Sequence, residues 1–245
     1  MIIAEHDIRR HGPGHVLAAC WRQWRTERVL ARRGVHFRTT DPAAAAAAYA
    51  AMSDREFDAI NSRQDWANWR TIPRALSGHV PDRPLRVLDL GCGSGSSTRV
   101  LAFYCPTGSH LTGFELAPTL LTLARRRTYL HRTGQPALVD FCCQGVTERL
   151  RTAQGAPIPD ESIDLVNASG VIGHHLTVDS FQPLARELTR ILGADGIATL
   201  DAGPSLPASA LTRILAAAGF QRLGHARSWM LDPTGQIIYQ KRAGL

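Results

Sequence analysis

The chemistry of this chain of 245 residues concentrates at Val87-Leu88-Asp89-Leu90-Gly91-Cys92-Gly93-Ser94-Gly95, followed by Ser96-Ser97-Thr98. A short apolar run that stops in alternating glycines and then opens an apolar-periodic stretch reads as strand, turn and helix start. Such a turn carries backbone N–H groups to the carboxyl edge of a sheet, where open α/β sheets bind ligands. Glycine there keeps Cβ atoms out of a ligand's way and admits positive φ. The dinucleotide fingerprint G-x-G-x-x-G needs glycine or alanine at position 96, and Ser96 stands there. The adjacent Cys142 and Cys143 invite a metal or thiol reading. Strand neighbours point to opposite faces and no C-x-x-C spacing is present, so buried core thiols and no metal site are expected.

The G-x-G-x-G spacing has Asp89 two residues ahead of it, and Glu115 ends the next strand, His110-Leu111-Thr112-Gly113-Phe114-Glu115. Together these resemble the first motif and following acid of the class I S-adenosylmethionine-dependent methyltransferases. The resemblance runs over residues 85–245. Arg190-Ile191-Leu192-Gly193-Ala194-Asp195-Gly196 is similar to that family's R-x-L-x-x-G-G turn, with Asp195 in place of the first glycine of the pair. The resemblance implies S-adenosylmethionine as cofactor. Asp89, Gly91 and Gly93 would line its methionine end, with Cys92, Ser94 and Gly95 completing the loop. Glu115 would take the ribose hydroxyls, since a carboxylate accepts two hydrogen bonds from a vicinal diol, and Leu116 would pack on the adenine. Where the family often carries an acid for the adenine amino group, this chain has Cys143-Gln144-Gly145-Val146, and Gln144 offers an oxygen instead. Ser169 and Gly170 fall where the family's backbone passes close to the cofactor. His174 and His175 occupy a segment resembling its substrate side. One of them could act as general base near neutral pH, or the pair could have no chemical role.

The elements that must position these groups follow from periodicity. From Leu85 onward strand and helix alternate, which argues for a parallel sheet covered on both faces. Strands are expected at 86–90, 110–115, 137–143, 163–169 and 197–202. Phe220–Met230 and Gln236–Lys241, joined by Asp232-Pro233-Thr234-Gly235, read as a terminal hairpin. Helices are expected from Ser97 to Phe103, from Pro118 to about Arg132, from a cap at Asp179 through Phe181, Leu184, Leu188 and Ile191, and from Pro207 to Ala218. The fold class is α/β: a Rossmann-like, doubly wound, mostly parallel seven-stranded sheet with an antiparallel C-terminal hairpin and an N-terminal helical cap. Residues 1–80 are assigned to the cap and 81–245 to the cofactor-binding core.

Within the cap, His15–Arg33 reads as a helix ended by Gly34, and Asp41-Pro42 as an N-cap with proline at the first position. Ser53-Asp54-Arg55-Glu56 has capping-box spacing and starts a short helix with Phe57 and Ile60. Gln64–Leu76 is expected as a separate helical stretch, bent or interrupted at Pro73. Trp66, Trp69, Arg70 and Arg74 lie just ahead of the core. They are expected either to form a lid, with an arginine on the cofactor carboxylate, or simply to pack the cap helices.

Net charge is +7, and residues 1–40 hold eight arginines (9, 10, 22, 25, 28, 32, 33, 38) against Glu5, Asp7 and Glu27, a balance of 8 − 3 = +5. That excess is either a footprint for an anionic partner or a solvated face. The longest apolar run, Ala43–Met52, is ten residues, too short to span a bilayer. With Glu5, His6 and Asp7 near Met1 no signal peptide is expected, and five cysteines read as reduced thiols. These features point to a cytoplasmic protein without a membrane partner. Methyl transfer to a small molecule is the expected function. The alternatives are an RNA methyltransferase using the arginine-rich segment, or a cofactor-binding protein that transfers no methyl group. The acceptor and the oligomeric state are unknown from sequence.

Overall fold

The structure, a computed structural model, describes residues 13–229 and 232–242. Arg9, Arg10, Glu5, His6, Asp7 and the Met230 end of the expected hairpin strand lie outside the described residues. Seven strands form one sheet in the order β3-β2-β1-β4-β5-β7-β6. These are β1 (Arg86–Leu90), β2 (His110–Glu115), β3 (Leu138–Cys143), β4 (Ile163–Ala168), β5 (Leu192–Leu200), β6 (Phe220–Trp229) and β7 (Asp232–Lys241). Strands β1 to β5 pair in parallel, and β7 runs antiparallel to both β5 and β6. Asp232–Gly235, expected as the hairpin turn, belongs to β7: Asp232 pairs with Trp229 and Gly235 with Arg227.

Alternation along β1 sorts the core into two layers. Leu88 and Leu90 pack with Phe114, Val166 and Ala168 against α7 (Val178–Ile191) and α8 (Ala208–Ala217). Val87 packs on the other face with Leu111, Leu165, Ile197 and Ile238 against Val100 and Leu101 of α4 (Ser96–Tyr104). The strand register sets Asp89 beside Asn167, and Asn167 beside Thr199. A row of polar side chains therefore crosses this second face at the carboxyl end of the sheet.

Among the described residues three helices precede the sheet: α1 (Pro13–Arg32), α2 (Pro42–Ala50) and α3 (Asp54–Leu76). Asp41 caps α2 by accepting from the Ala43 N–H, and Ser53 with Glu56 closes the capping box of α3. The two stretches expected at Ser53 and Gln64 are one helix of 23 residues, because nothing between Ile60 and Gln64 breaks helical geometry. Pro73 sits inside it, three residues before its end at Leu76, and removes one backbone hydrogen bond without ending the helix. Ile72, Ala75 and Leu76 share the apolar layer of Val87, Val100 and Leu111, so the end of α3 is anchored in the sheet's own core.

Two helix boundaries also differ from expectation. α5 (Pro118–Arg126) stops short of Arg132 because Arg127 turns extended (ψ 152°) and Tyr129 dives inward, donating its hydroxyl to the Ala124 carbonyl at 2.8 Å. The cap of α7 is Thr177, whose hydroxyl accepts from the Ser180 N–H, and Asp179 lies in the first turn. Within Arg190–Gly196, Asp195 takes up φ 62°, a left-handed conformation uncommon outside glycine that Glu161 also adopts.

Asp89 is fully buried, yet donors surround it. Ser97 Oγ and Thr98 Oγ1 donate to Oδ2 at 2.7 and 2.6 Å, and Asn167 Nδ2 donates to Oδ1 at 2.7 Å. Hydrogen bonds to a buried charged group contribute roughly 1.5–3 kcal/mol each, and unpaired partners are costly. Asp89→Ala is expected to lower stability by roughly 3 kcal/mol in urea unfolding. A loss below about 1 kcal/mol would show that these donors find other partners.

Candidate active site

The carboxyl edge of β1, β2 and β4 opens into a cavity of about 470 Å³. Its floor is the glycine loop and its roof is the polar face of α3. Gly91 adopts φ +65°, and a Cβ there would stand 2.0 Å from Val171 Cγ2. Any side chain at 91 would force the loop away from the segment that follows β4. Gly91, Cys92, Gly93 and Ser94 line the cavity. Gly95 does not; it lies behind, where an added Cβ would meet the Tyr129 hydroxyl at 2.0 Å. Asp89 also sits beneath the loop and off the cavity wall, so its visible work is to hold the loop from below.

Glu115 reaches the cavity at the end of β2. Its Oε2 accepts from the Gly93 N–H at 3.0 Å and its Oε1 from the Ala117 N–H at 2.8 Å. Burial pushes its carboxyl above the usual range, while the N–H groups of Ala117, Gly93 and Leu116 pull it back. The carboxylate is thereby fixed against the loop, with lone pairs left for a ligand diol. Leu116, Gln144, Gly145 and Val146 line the adjoining wall. The Gln144 amide is engaged elsewhere, donating to the Arg149 carbonyl at 2.7 Å and accepting from the Arg151 N–H at 3.1 Å. Ser169 and Gly170 complete the loop side, with the Ser169 hydroxyl accepting from Gln236 Nε2 at 2.6 Å.

The two histidines part company. His174 does not line the cavity, whereas His175 does, carried by the short α6 (Ile172–His175). The Asp201 carboxylate holds this turn by accepting from the N–H groups of Val171, Ile172 and Gly173 at 3.0, 3.1 and 2.9 Å. His175 Nδ1 lies 2.8 Å from the Thr39 carbonyl, which can only accept, so Nδ1 carries the proton. Nε2 is then the acceptor, and the Tyr49 hydroxyl donates to it at 3.1 Å. Burial lowers the His175 pKa, so the ring is neutral around pH 7. Burial raises that of Tyr49, with the Glu115 charge adding to it, so the phenol stays protonated.

Of the four cap residues singled out by sequence, none lines the cavity. Trp66 is buried with Val16 and Ala67, and the Arg70 guanidinium stacks over its ring at 3.9 Å. Trp69 packs edge-on against Phe103 and Tyr104. Arg74 donates to the backbone carbonyls of Arg227 and Ser228. The contacts these four residues make here are with the cap and the sheet. The cavity face of α3 is instead Phe57, Asp58, Asn61, Gln64, Asp65 and Asn68, a helical stripe hidden among other polar residues. Two described arginines line the cavity, Arg22 of α1 and Arg127, whose Nη2 donates to Ser94 Oγ at 2.8 Å and lies 3.6 Å from Asp58 Oδ1. Sequence reasoning missed Arg127 by running α5 through it. Tyr49 and Asp201 were missed as well, having no motif around them.

Cys142 is buried, but Cys143 is exposed on the opposite face, which corrects the expectation that both are core thiols. Among the described residues no cluster of His, Cys, Asp or Glu could hold a metal ion.

Residues 88–200 match a protein family described as "Methyltransferase domain". A demethylmenaquinone methyltransferase of Tropheryma whipplei is 33% identical over 113 residues, covering 46% of this chain and 39% of the relative. A ubiquinone biosynthesis O-methyltransferase of Xylella fastidiosa is 39% identical over 82 residues, covering 34% and 30%. The chain thus spans well under half the length of these relatives. Among solved structures, magnesium protoporphyrin IX methyltransferase from Synechocystis PCC 6803 with bound cofactor superposes at a TM-score of 0.55 with 16% identity. That superposition covers 78% of this chain and 85% of the other, and it speaks to the fold alone.

Glu115→Gln keeps the side chain's shape but leaves one of its two backbone donors facing an amide NH₂. S-adenosylhomocysteine is expected to bind this variant at least tenfold more weakly, a loss of about 1.4 kcal/mol, with the unfolding midpoint lowered by a few degrees for the unpaired donor. Unaltered affinity by calorimetry would remove Glu115 from the cofactor site.

Proposed function

We propose that this chain, whose residues 88–200 match a methyltransferase domain, is a class I S-adenosylmethionine-dependent methyltransferase that methylates a small molecule through an O–H group that it deprotonates itself. When bound, S-adenosylmethionine supplies a methyl group already activated by the sulfonium charge. The residues present fit it. Glu115 would take the ribose and Leu116 the adenine. Arg127 would pair the methionine carboxylate, with Asp58 and Asp65 on the same wall to balance the ammonium.

The observation that carries the acceptor side is the Tyr49–His175 pair in the wall of that cavity. An acceptor hydroxyl placed on Tyr49 Oη would donate its proton there as the phenol passes its own to His175 Nε2. The imidazolium keeps its Nδ1–H on the Thr39 carbonyl. No tyrosinate accumulates, which suits a phenol with a raised pKa. His174 has no part in this relay. A cavity of about 470 Å³, roofed by α3 and walled by α2, is of small-molecule size and supports that class over an RNA strand. The T. whipplei and X. fastidiosa relatives are named for quinone-type small molecules, which agrees with it. Five free cysteines support a cytoplasmic setting.

The test is transfer of a labelled methyl group to a panel of phenols, catechols and carboxylic acids. Tyr49→Phe and His175→Ala are each expected to lower kcat on any accepted substrate about 100-fold while S-adenosylhomocysteine affinity holds within about threefold. His174→Ala should leave kcat alone. Because the His175 pKa is lowered, wild-type kcat/KM should stay level down to pH 6.5 or so, the ordinary histidine value, and fall only below it. Equal rates in all the variants would refute the relay, and no methylated product from any acceptor would favour a cofactor-binding protein without transfer.

A further inference from the structure

Of the six described arginines among the first forty residues, four (Arg22, Arg25, Arg28 and Arg32) are on α1, and of these the cavity takes only Arg22. Leu17, Trp21 and Trp24, spaced four and three apart, fall on one stripe and are 72%, 56% and 53% exposed. Val29, 43% exposed, lies beside this stripe and not on it, five residues after Trp24. Arg22, Arg25, Arg28 and Arg32 are exposed among them. Two of these arginines lie over the indoles, Arg25 at 5.5 Å from the Trp21 centroid and Arg28 at 4.8 Å from that of Trp24. The helix's one acid, Glu27, is bonded to Gln23 and to Arg38 at 2.5 Å. The opposite face, with Val16, Ala19 and Leu30, is buried.

A helix held by one apolar face normally presents charge alone on the other. Large exposed side chains spaced along one helix face, rimmed by a single sign of charge, mark a surface that something covers. A second copy of this chain is a poor fit, since an isologous contact would set these arginines against their own kind. A nucleic acid strand is a poorer fit than a bilayer, because the guanidiniums already occupy the indole faces on which bases would stack, and Leu17 and Val29 have nothing to offer it. An anionic lipid surface matches every component. Indoles prefer the headgroup level, aliphatic side chains reach the acyl boundary, and arginines pair with phosphates.

We propose that α1 is an interfacial helix that lays its Leu17-Trp21-Trp24 stripe on an anionic phospholipid bilayer. The chain lies on the membrane and does not span it: among the described residues no helix is long and apolar enough to cross. This revises the expectation of no membrane partner, which rested on spanning length alone. His15 and Arg22 of the same helix line the cavity from a side turned away from this stripe. The proposal stands on the helix surface and does not require that methyl transfer occur.

Vesicle co-sedimentation of the full chain tests it. Binding is expected to vesicles of phosphatidylcholine with about 30% phosphatidylglycerol, to weaken in high salt, and to be at least tenfold lower on pure phosphatidylcholine. Arg25→Gln and Arg28→Gln should each lower binding roughly fivefold. Trp21→Ser with Trp24→Ser should lower it at least tenfold with helical content unchanged by circular dichroism. All four residues are exposed, so folding should survive. No binding to the anionic vesicles, or binding indifferent to the two tryptophans, would overturn the proposal. So would light scattering that shows a stable dimer broken by the same tryptophan changes, or retention of tRNA that anionic vesicles fail to displace.

Discussion

A carboxylate at the centre of a parallel sheet can persist only if donors close around it, and Asp89 is that carboxylate. Its three donors come from the start of α4 and from β4. Asn167 then passes the constraint on, accepting from Thr199 Oγ1 at 3.0 Å and from Gln236 Nε2 at 2.6 Å. Four strands and a helix start are thereby tied together toward the carboxyl edge of the parallel strands by hydrogen bonds that an apolar core could not supply. The lateral position of every strand in the row matters, since each donor reaches only its own acceptor. The loop above is held in turn: Gly91 by lack of room beside Val171, and Gly93 by its N–H on Glu115.

The second constraint joins the segment before the sheet to the sheet itself. Tyr49 and His175 are 126 residues apart in sequence, yet they share a hydrogen bond, and Thr39 takes the other side of the imidazole. His175 can meet them only because Asp201, at the end of β5, caps the short turn that carries it. A polar pair in such a cavity wall is worth more than on an open surface, because low dielectric strengthens it. Phe57, below Tyr49 in an edge-on ring contact with centroids 5.7 Å apart, also approaches the glycine loop: a Cβ at Gly93 would lie 3.1 Å from it. The roof is therefore fitted to the floor by apolar contact as well as by hydrogen bonds.

What the sequence made legible was local. The strand-turn-helix at 86–104, the acid ending β2, the Asp41 and Ser53 caps and the antiparallel ending all rest on spacings within about ten residues, and they stand in the structure. What it hid was either non-local or masked by a competing local signal. Arg127 looked like one more basic residue in a helix, because the inward turn of Tyr129 that ends α5 depends on room above Gly95. The tryptophans of α3 drew attention as possible pocket walls, yet large aromatics are core residues first, and the cavity took the helix's small polar side chains. Thr177 was passed over as a cap because its partner at the third helical position is serine, not glutamate or glutamine. Tyr49 follows a run of alanines that carries no periodic signal.

The account rests on the loop and Glu115 together gripping an adenosyl ligand, and titration calorimetry of the full chain with S-adenosylhomocysteine and, separately, with NAD tests this most directly. One-site binding of the first, with no heat from the second, is the predicted result. Silence with S-adenosylhomocysteine, or equal binding of the dinucleotide, would contradict it.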